Sequence, residues 1–519
     1  MQGDERILSI DCGTQSLRGI IFDKFGYIKG YKKIDFNPYF SIKPGWAEQK
    51  AEIYWKSLCE ATNYLKLENF SEFKKIDAVV ITTLRDTMIN LDKNGKVLRN
   101  TITWLDQRMV KYPGKLYKHE KLIFDLVSMK KTIEIISRES KANWIKENEN
   151  EVWNKTYKYI QLSAYLNFKL TGEIKDSISN QVGHIPFNYK KRKWEENLSS
   201  WKWRIFGIEK DKLSELVEPG TLIGNINKNA EYETGLKNGI PVYAGASDKG
   251  CETLANGCID ERCASISFGT TATIQITSNK YIEPIKFMPA YPGIIKNSYN
   301  PEVEIFRGYW MISWFKKEFA QKEMEEAKKL NINPEILLNQ RLNSIPAGSD
   351  GLILQPYWGP HIKTPFAKGS IIGFGDVHTR IHIYRAIIEG INYGLMDGIE
   401  MIESKTNKHI EEIKVSGGGS KSETICQITS DMFNRKVLRI HTNEASGLGA
   451  AMIGFVSLGI YKNYQEAIKN MIHYKDEFIP DKKNSEIYKD LFHKVYKRIY
   501  PRLKKLYIQI KDIANYPNE

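Results

Sequence analysis

The strongest limit on the fold is a pattern that occurs twice: a strand, a glycine- and threonine-bearing turn, and a second strand. Near the start of the chain, apolar Ile7, Leu8 and Ile10 lead into Asp11-Cys12-Gly13-Thr14-Gln15-Ser16-Leu17-Arg18, and Gly19, Ile20, Ile21 and Phe22 lead out. Near the middle, residues 264–268 lead into Gly269-Thr270-Thr271 and residues 272–277 lead out. Backbone N–H groups and hydroxyls in such turns grip phosphate oxygens. Asp11 adds a carboxylate that can hold a divalent cation. Two such turns predict two related domains with a cleft between them, each turn clasping one polyphosphate from its own side. The division falls near residue 255, giving domains 1–254 and 255–519.

A chain of 519 residues exceeds a single ordinary core. Strand-length apolar runs recur with helical stretches between them, which predicts an α/β fold. Strands are expected at 7–10, 19–23, 76–82, 88–91, 241–244, 264–268, 272–277 and 412–415. Helices are expected at 51–66, 158–170, 380–403, 421–433 and 447–458, with a hairpin at Asn94-Gly95. No apolar run approaches the roughly 20 residues of a membrane helix, and the N-terminus lacks a signal-peptide core. A cytoplasmic protein with no membrane partner is therefore expected. The six cysteines are too few and too scattered for a disulfide framework. Cys251, Cys258 and Cys263 lack a CxxC and a nearby histidine, so they read as small buried hydrophobes rather than zinc ligands. The net charge of +14 is spread along the chain, which predicts a lysine-rich surface with some attraction for an anionic substrate and no nucleic-acid partner.

The second carboxylate of interest lies in Ala244-Gly245-Ala246-Ser247-Asp248-Lys249-Gly250, on a turn with little side-chain bulk. One aspartate for a metal and one for a proton is what phosphoryl transfer to an alcohol requires. Val415-Ser416-Gly417-Gly418-Gly419-Ser420 is a strand entering a glycine turn and then a helix, a junction that lets backbone approach a nucleotide. Glu444-Ala445-Ser446-Gly447-Leu448-Gly449 begins a small-residue helix that is not a dinucleotide fingerprint, because no suitable strand precedes it. Arg85 and Asp86 follow a strand and can bind sugar hydroxyls, or simply each other on the surface. Trp104 can stack on a polyol or pack in the core. Asp106 and Arg108 can bind hydroxyls or each other. Neither Gly95-Lys96 nor Gly114-Lys115 is followed by Ser or Thr, so no Walker A loop is present.

Taken in order, these residues resemble the FGGY carbohydrate kinase family, within the sugar kinase, actin and Hsp70 superfamily. The resemblance runs from the Asp11 loop through Gly45-Trp46-Ala47-Glu48-Gln49, Trp104-x-Asp106-x-Arg108, Leu170-Thr171-Gly172-Glu173, the Asp248 turn and the Gly269-Thr270-Thr271 turn. It continues through Gly348-Ser349-Asp350-Gly351, the stretch from Gly369 to Glu389, and Gly417-Gly418-Gly419. It implies two actin-like (ribonuclease H-like) domains and an enzyme that phosphorylates a hydroxyl of a small sugar or polyol with ATP and Mg²⁺. On matching positions Asp248 is implied as general base and, with Asp11, as a metal ligand. Gly13, Thr14, Gln15, Ser16 and Arg18 on one side, and Gly269, Thr270, Thr271, Gly417, Gly418 and Gly419 on the other, are implied to hold the nucleotide. Arg85, Asp86, Trp104, Asp106, Asp248 and Lys249 are implied to bind the acceptor.

Arg85-Asp86 falls where glycerol kinases and autoinducer kinases carry an Arg-Glu pair and xylulose kinases usually carry an uncharged one. Lys249 replaces the small or amide residue common after the base. The acceptor therefore stays open among glycerol-like polyols, ketopentoses, tetritols and autoinducer-type substrates. A homodimer is common in the resembling family. Two other readings are a catalytically silent sugar-binding or regulatory protein on the same fold, and an actin- or Hsp70-like ATPase acting on a protein. Residues 460–519 read as helical C-terminal packing.

Overall fold

The computed structural model describes residues 4–358 and 366–514. Residues 1–3 of the N-terminus and 515–519 of the C-terminal segment thus lie outside the described residues. The chain forms two compact units. The first runs to Ala255 and takes in Tyr291–Tyr299 and Ser446–Ile472. The second comprises Asn256–Ala290, Asn300–Ala445 and the chain from His473 on. Each unit is therefore discontinuous in sequence, which a single division after residue 254 does not express.

In the first unit the sheet strands are β1 (Arg6–Cys12), β2 (Ser16–Asp23), β3 (Ile28–Asp35), β4 (Ile76–Thr83), β5 (Leu222–Asn225) and β6 (Pro241–Tyr243). Helices α1 (Ala51–Glu68), α2 (Leu162–Thr171) and α3 (Asp248–Ala255) accompany them. In the second unit the sheet begins with β7 (Cys263–Phe268), β8 (Ala272–Gln275) and β9 (Glu302–Ile305). Helix α4 (Arg380–Thr406), β10 (Glu412–Ser416), α5 (Glu423–Phe433) and β11 (Lys436–Ile440) follow, then α6 (Ala445–Ser457) and β12 (Tyr474–Phe478). Read across, the first sheet is β3-β2-β1-β4-β6-β5 and the second is β9-β8-β7-β10-β11-β12. The neighbours run antiparallel, antiparallel, parallel, parallel, antiparallel in both. The repeat seen in the two turns is thus a repeat of whole six-stranded sheets.

Local sequence explains the elements that flank the site. In α1, Tyr54, Leu58, Ala61 and Leu65 recur at helical spacing and are buried. They meet a flat strip on the sheet, where a Cβ at Gly19 would lie 3.2 Å from Leu65 and 3.3 Å from Ala61. The expected helix at 158–170 is shorter than anticipated. Lys158–Gln161 is a strand paired with Met88–Leu91, and only Leu162–Thr171 is helical, because Tyr159 and Ile160 complete a small side sheet. One cysteine pair also departs from expectation: Cys258 and Cys263 lie across a short loop with their Cα atoms 5.1 Å apart and are joined as a disulfide. Within α4, Arg385 and Glu389 form a buried pair at 2.8 Å. Glu389 also accepts from Gly348 N and Ser349 Oγ, and Arg385 donates to Tyr488 OH.

Helix α6 follows β11 in sequence, yet its residues from Ser446 on belong to the first unit. There its small face meets α3, and a Cβ on Gly449 would fall 2.0 Å from the Cys251 carbonyl oxygen. Gly449→Ala is therefore expected to destabilise the first unit by about 1–3 kcal/mol through overpacking. Urea unfolding should show its transition at a lower midpoint, and an unchanged or higher midpoint would refute the close contact.

Candidate functional site

Three parallel strands of the first unit end side by side. Asp11 and Cys12 are in register with Thr82 and Thr83, and Thr83 bridges in parallel to Ser247. Asp11, the Thr82-Thr83 pair and Ser247-Asp248 therefore gather at the carboxyl ends of β1, β4 and β6, where open α/β sheets bind ligands. The chain can reach this place only because position 245 has no side chain: a Cβ on Gly245 would lie 2.0 Å from the Ile81 carbonyl oxygen. Ser247 then opens α3, accepting from Gly250 N with its hydroxyl and from Cys251 N with its carbonyl. Asp248 is the first residue of that helix, is half-buried, and accepts from Lys249 N at 2.8 Å.

The thiol of Cys251 reports how these charges lie. Burial pushes it up to about 12, and the carboxylates of Asp11 and Asp248 both push in the same direction, against its hydrogen bonds with Thr82 and the Ala246 carbonyl. One buried thiol thus sits in the field of both aspartates. Asp11 is itself buried and paired with Arg18 on the facing strand at 3.0 Å. The turn between them is closed by Gly13 N to Ser16 O at 2.9 Å and anchored by Trp104, whose Nε1 donates to Thr14 Oγ1 at 3.1 Å. Gln15 is exposed at the tip of the turn and Ser16 is buried.

The expected acceptor residues differ from one another in their surroundings. Arg85 lies with its guanidinium 5.2 Å from the centre of the Tyr291 ring. Asp86, in the left-handed region at φ +50°, is held by Lys141 Nζ at 2.6 Å and His184 Nδ1 at 3.1 Å. Burial opposes its charge, but Lys141 and His184 prevail and hold its carboxyl well below the usual range. His184 is pushed up to about 9 because Asp86 and Glu139 outweigh its burial. Asp86 is therefore the anion of a three-member cluster, with its side chain 18% exposed.

Asp106 is enclosed more fully, in the pairing with Arg108 that was the second reading of its motif. Its two oxygens accept from Ala47 N at 2.6 Å and from Arg108 at 2.7 and 2.8 Å, with the side chain 1% exposed. Arg108 continues to Glu48 at 2.8 Å and lies over Trp46 and Trp144. Asp106 thus fixes the segment carrying Trp104. Lys249 pairs with Glu252 at 2.9 Å. Burial works against its charge, and Glu252 and Asp248 outweigh that and raise its pKa. The i,i+3 spacing of Lys249 and Glu252 was open to sequence reading. Lys141, His184 and Tyr291 come from distant segments with no local signal.

In the second unit, Gly269-Thr270-Thr271 joins β7 to β8, and Gly417-Gly418-Gly419 leaves the adjacent parallel strand β10. Gly417 has φ +83° and lies so near the Phe268 backbone that a Cβ would come within 2.9 Å of it. A Cβ on Gly419 would meet the Tyr309 ring at 2.2 Å. Tyr309 N and Trp310 N donate to the Gly269 and Thr270 carbonyls, and Thr271 Oγ1 donates to the Phe306 carbonyl. The two loops expected to hold nucleotide are therefore neighbours at strand ends, braced by residues 306–310.

An α/β protein of two like six-stranded sheets, with a glycine- and threonine-bearing turn between paired strands in each and carboxylates at the strand ends of one, has the architecture expected of a sugar-kinase-type phosphotransferase. Residues 6–255 match the N-terminal domain, and residues 264–458 the C-terminal domain, of the FGGY family of carbohydrate kinases. The chain belongs to that family and is a carbohydrate kinase. A xylulose kinase of Lactococcus lactis subsp. lactis (strain IL1403) is 28% identical over 504 residues, 95% of this chain and 96% of that protein. A gluconokinase of Bacillus subtilis (strain 168) is 26% identical over 512 residues, 98% of each. The crystal structure of xylulose kinase from Rhodospirillum rubrum superposes with a TM-score of 0.82 at 21% identity, covering 97% of this chain and all of that one, and has the same fold.

The Asp86–His184 pair sets a pH signature. A histidine whose pKa rises from 6.5 to about 9 on folding gives stability that is full below 6.5 and lost as pH rises through 9. The lowered Asp86 gives its share only above its ordinary value of 3.8. The difference in urea midpoint between wild type and His184→Gln should be widest between about pH 4 and 6.5 and close towards pH 9. A difference that grows over that alkaline range would refute the pairing.

Proposed function

We propose that the chain transfers the γ-phosphoryl group of Mg-ATP to a hydroxyl of a small sugar or polyol, with Asp248 as the general base. What supports this most directly is the placement of Asp248 at the end of β6, clamped by Ser247 and sharing the surroundings of Cys251 with Asp11. The acceptor hydroxyl gives its proton to the Asp248 carboxylate while its oxygen attacks the γ-phosphorus, and ADP leaves with the bridging oxygen. General base catalysis of this kind contributes about 10²–10⁴-fold. The Gly13–Ser16 turn with Arg18, and the glycine loops of the second unit, orient the phosphates and so supply the geometric part of the acceleration. FGGY sugar kinases use ATP as donor.

The donor set also suits magnesium. It is a hard cation that binds one or two carboxylates together with substrate phosphates. Asp11 and Asp248 are two such carboxylates acting on one thiol. When bound, the ion would neutralise charge developing on the phosphate oxygens. Asp11, paired to Arg18, presents its oxygens from the rigid end of β1.

Arg85 over Tyr291 and the cationic Lys249 are the side chains we assign to the acceptor, with Trp104 holding the phosphate turn. The names of the relatives place a ketopentose and a sugar acid among the acceptors to examine. The test is ADP release with Mg-ATP in the presence of D-xylulose, D-ribulose, D-gluconate, glycerol or erythritol. One of these should give strong turnover that EDTA abolishes and Mg²⁺ restores. Asp248→Asn should lose about 10²–10⁴ in kcat with ATP binding retained. Turnover that survives this substitution would refute the assignment of the base.

A further inference from the structure

Asp176 is a carboxylate of the first unit to which the reaction above gives no role. It is fully buried in the short strand Lys175–Ser177, and the groups on it are uncharged donors. One oxygen accepts from Ser177 N and Asn180 Nδ2, each at 2.8 Å. The other accepts from Ser163 Oγ of α2 and Gln181 Nε2, each at 2.8 Å. These four bonds pin the single 3₁₀ turn Ile178–Asn180 from both ends. In that turn Ser179 faces two ways. Its carbonyl accepts from the N–H of Ser247, the residue before Asp248, at 3.2 Å. Its hydroxyl donates to the Gly293 carbonyl at 3.0 Å, two residues beyond the Tyr291 ring on which Arg85 lies.

We propose that Asp176 is a positioning residue for phosphoryl transfer: through Ser179 it sets Ser247, and so the Asp248 carboxylate, and through Gly293 it sets the Tyr291–Arg85 pair. This inference rests on the kinase reading above. It names the element that holds the assigned base and the assigned acceptor contact in one geometry. A buried hub of this kind matters because misplacement of about 1 Å can lower a rate by about 10²-fold.

The hub also titrates. Burial pushes Asp176 up to about 6, against the four hydrogen bonds that pull it down. Ionised, it accepts all four donors. Protonated, one oxygen carries a hydrogen, and at least one accepted bond is lost, since the Gln181 amide N–H₂ cannot become an acceptor as the Ser163 hydroxyl can. The ionisable side chains on the packed elements turn elsewhere. Lys169 of α2 lies over Trp55, Lys175 lies towards Glu173, and Glu215 on the paired strand and Lys296 of the Tyr291–Tyr299 segment are exposed. Activity should therefore fall on the acid side as Asp176 takes up its proton.

The test compares wild type, Asp176→Asn and Ser179→Ala by steady-state kinetics with D-xylulose and D-gluconate from about pH 5 to 8. It also compares hydrogen–deuterium exchange of the amides at 247–250 and 291–295. Asp176→Asn should lose about 10–100-fold in kcat at pH 7 with KM for ATP unchanged, and should lack the wild-type acid limb near 6. Ser179→Ala should act more on KM for the acceptor than on kcat. Both segments should exchange faster in Asp176→Asn while the β1 amides keep their protection. In wild type, exchange corrected for intrinsic rates should rise at 247–250 below about pH 6, which needs no variant to fold. An unchanged kcat and acid limb in Asp176→Asn, or protection at 247–250 indifferent to pH in wild type, would overturn the proposal. If wild type phosphorylates neither sugar, the acceptor reading fails for these compounds, and the exchange data alone decide the positioning role.

Discussion

The structure depends on how closely backbone can approach backbone at the ends of parallel strands. In the first unit the chain leaving β6 passes so near the Ile81 carbonyl that position 245 must be glycine, and two residues later Ser247 bridges to Thr83. In the second unit the chain leaving β10 also passes close to the Phe268 backbone at Gly417, where φ is +83°. In each case a side chain would push apart two strands whose adjacent ends carry functional loops. The same constraint explains why the loops at these strand ends are built from small residues. Small residues let the strand ends converge, and convergence brings Asp11 and Asp248 into one neighbourhood.

Residues that stand out in sequence as charged motifs prove to divide between chemistry and architecture. Arg385 and Glu389, in the stretch resembling the family's C-terminal signature, face each other inside α4. There they tie down the Gly348-Ser349 turn and Tyr488. Asp106, Arg108, Glu48 and Arg99 form a second buried network that Trp46 and Trp144 cover. Breaking a buried pair of this kind on one side costs about 3–5 kcal/mol, because the remaining charge loses its partner away from water. Such networks serve folding, and they fix the segment that carries Trp104 in the first unit and the helices of the second.

How much could be read from the chain follows from the range of each signal. Strand alternation, the glycine turns and the order of the motifs are local, and the sheets, the paired turns and the two strand-end aspartates were legible from them. The fates of Asp86 and Asp106 were not. Asp86 meets Lys141 and His184, 55 and 98 residues away, and Asp106 meets Ala47 N, 59 residues away. A charged residue after a strand looks the same in sequence whether its partner is a ligand or another segment. The grouping of Ser446–Ile472 with the first unit has the same origin, since α6 follows a strand of the second unit while its small face fits α3.

These long-range pairings redirect the question of which acceptor the kinase takes. If Asp86 were open, a shorter carboxylate in place of the glutamate of glycerol kinases would be the obvious determinant. Held between two cations, it instead fixes Lys141 and His184 with its own backbone in the left-handed region, while Arg85 lies over the Tyr291 ring. Under the proposed function, recognition then falls to Arg85 on Tyr291 and to Lys249 beside the base. Both are cations: Arg85 lies over Tyr291 from a distant segment, whereas Lys249 is held by Glu252 one turn along its own helix. On that reading a substrate with hydroxyls or a carboxylate to accept from the two cations suits the pair. Under the proposed function, the segment that carries Tyr291 therefore bears on acceptor choice alongside Arg85 itself.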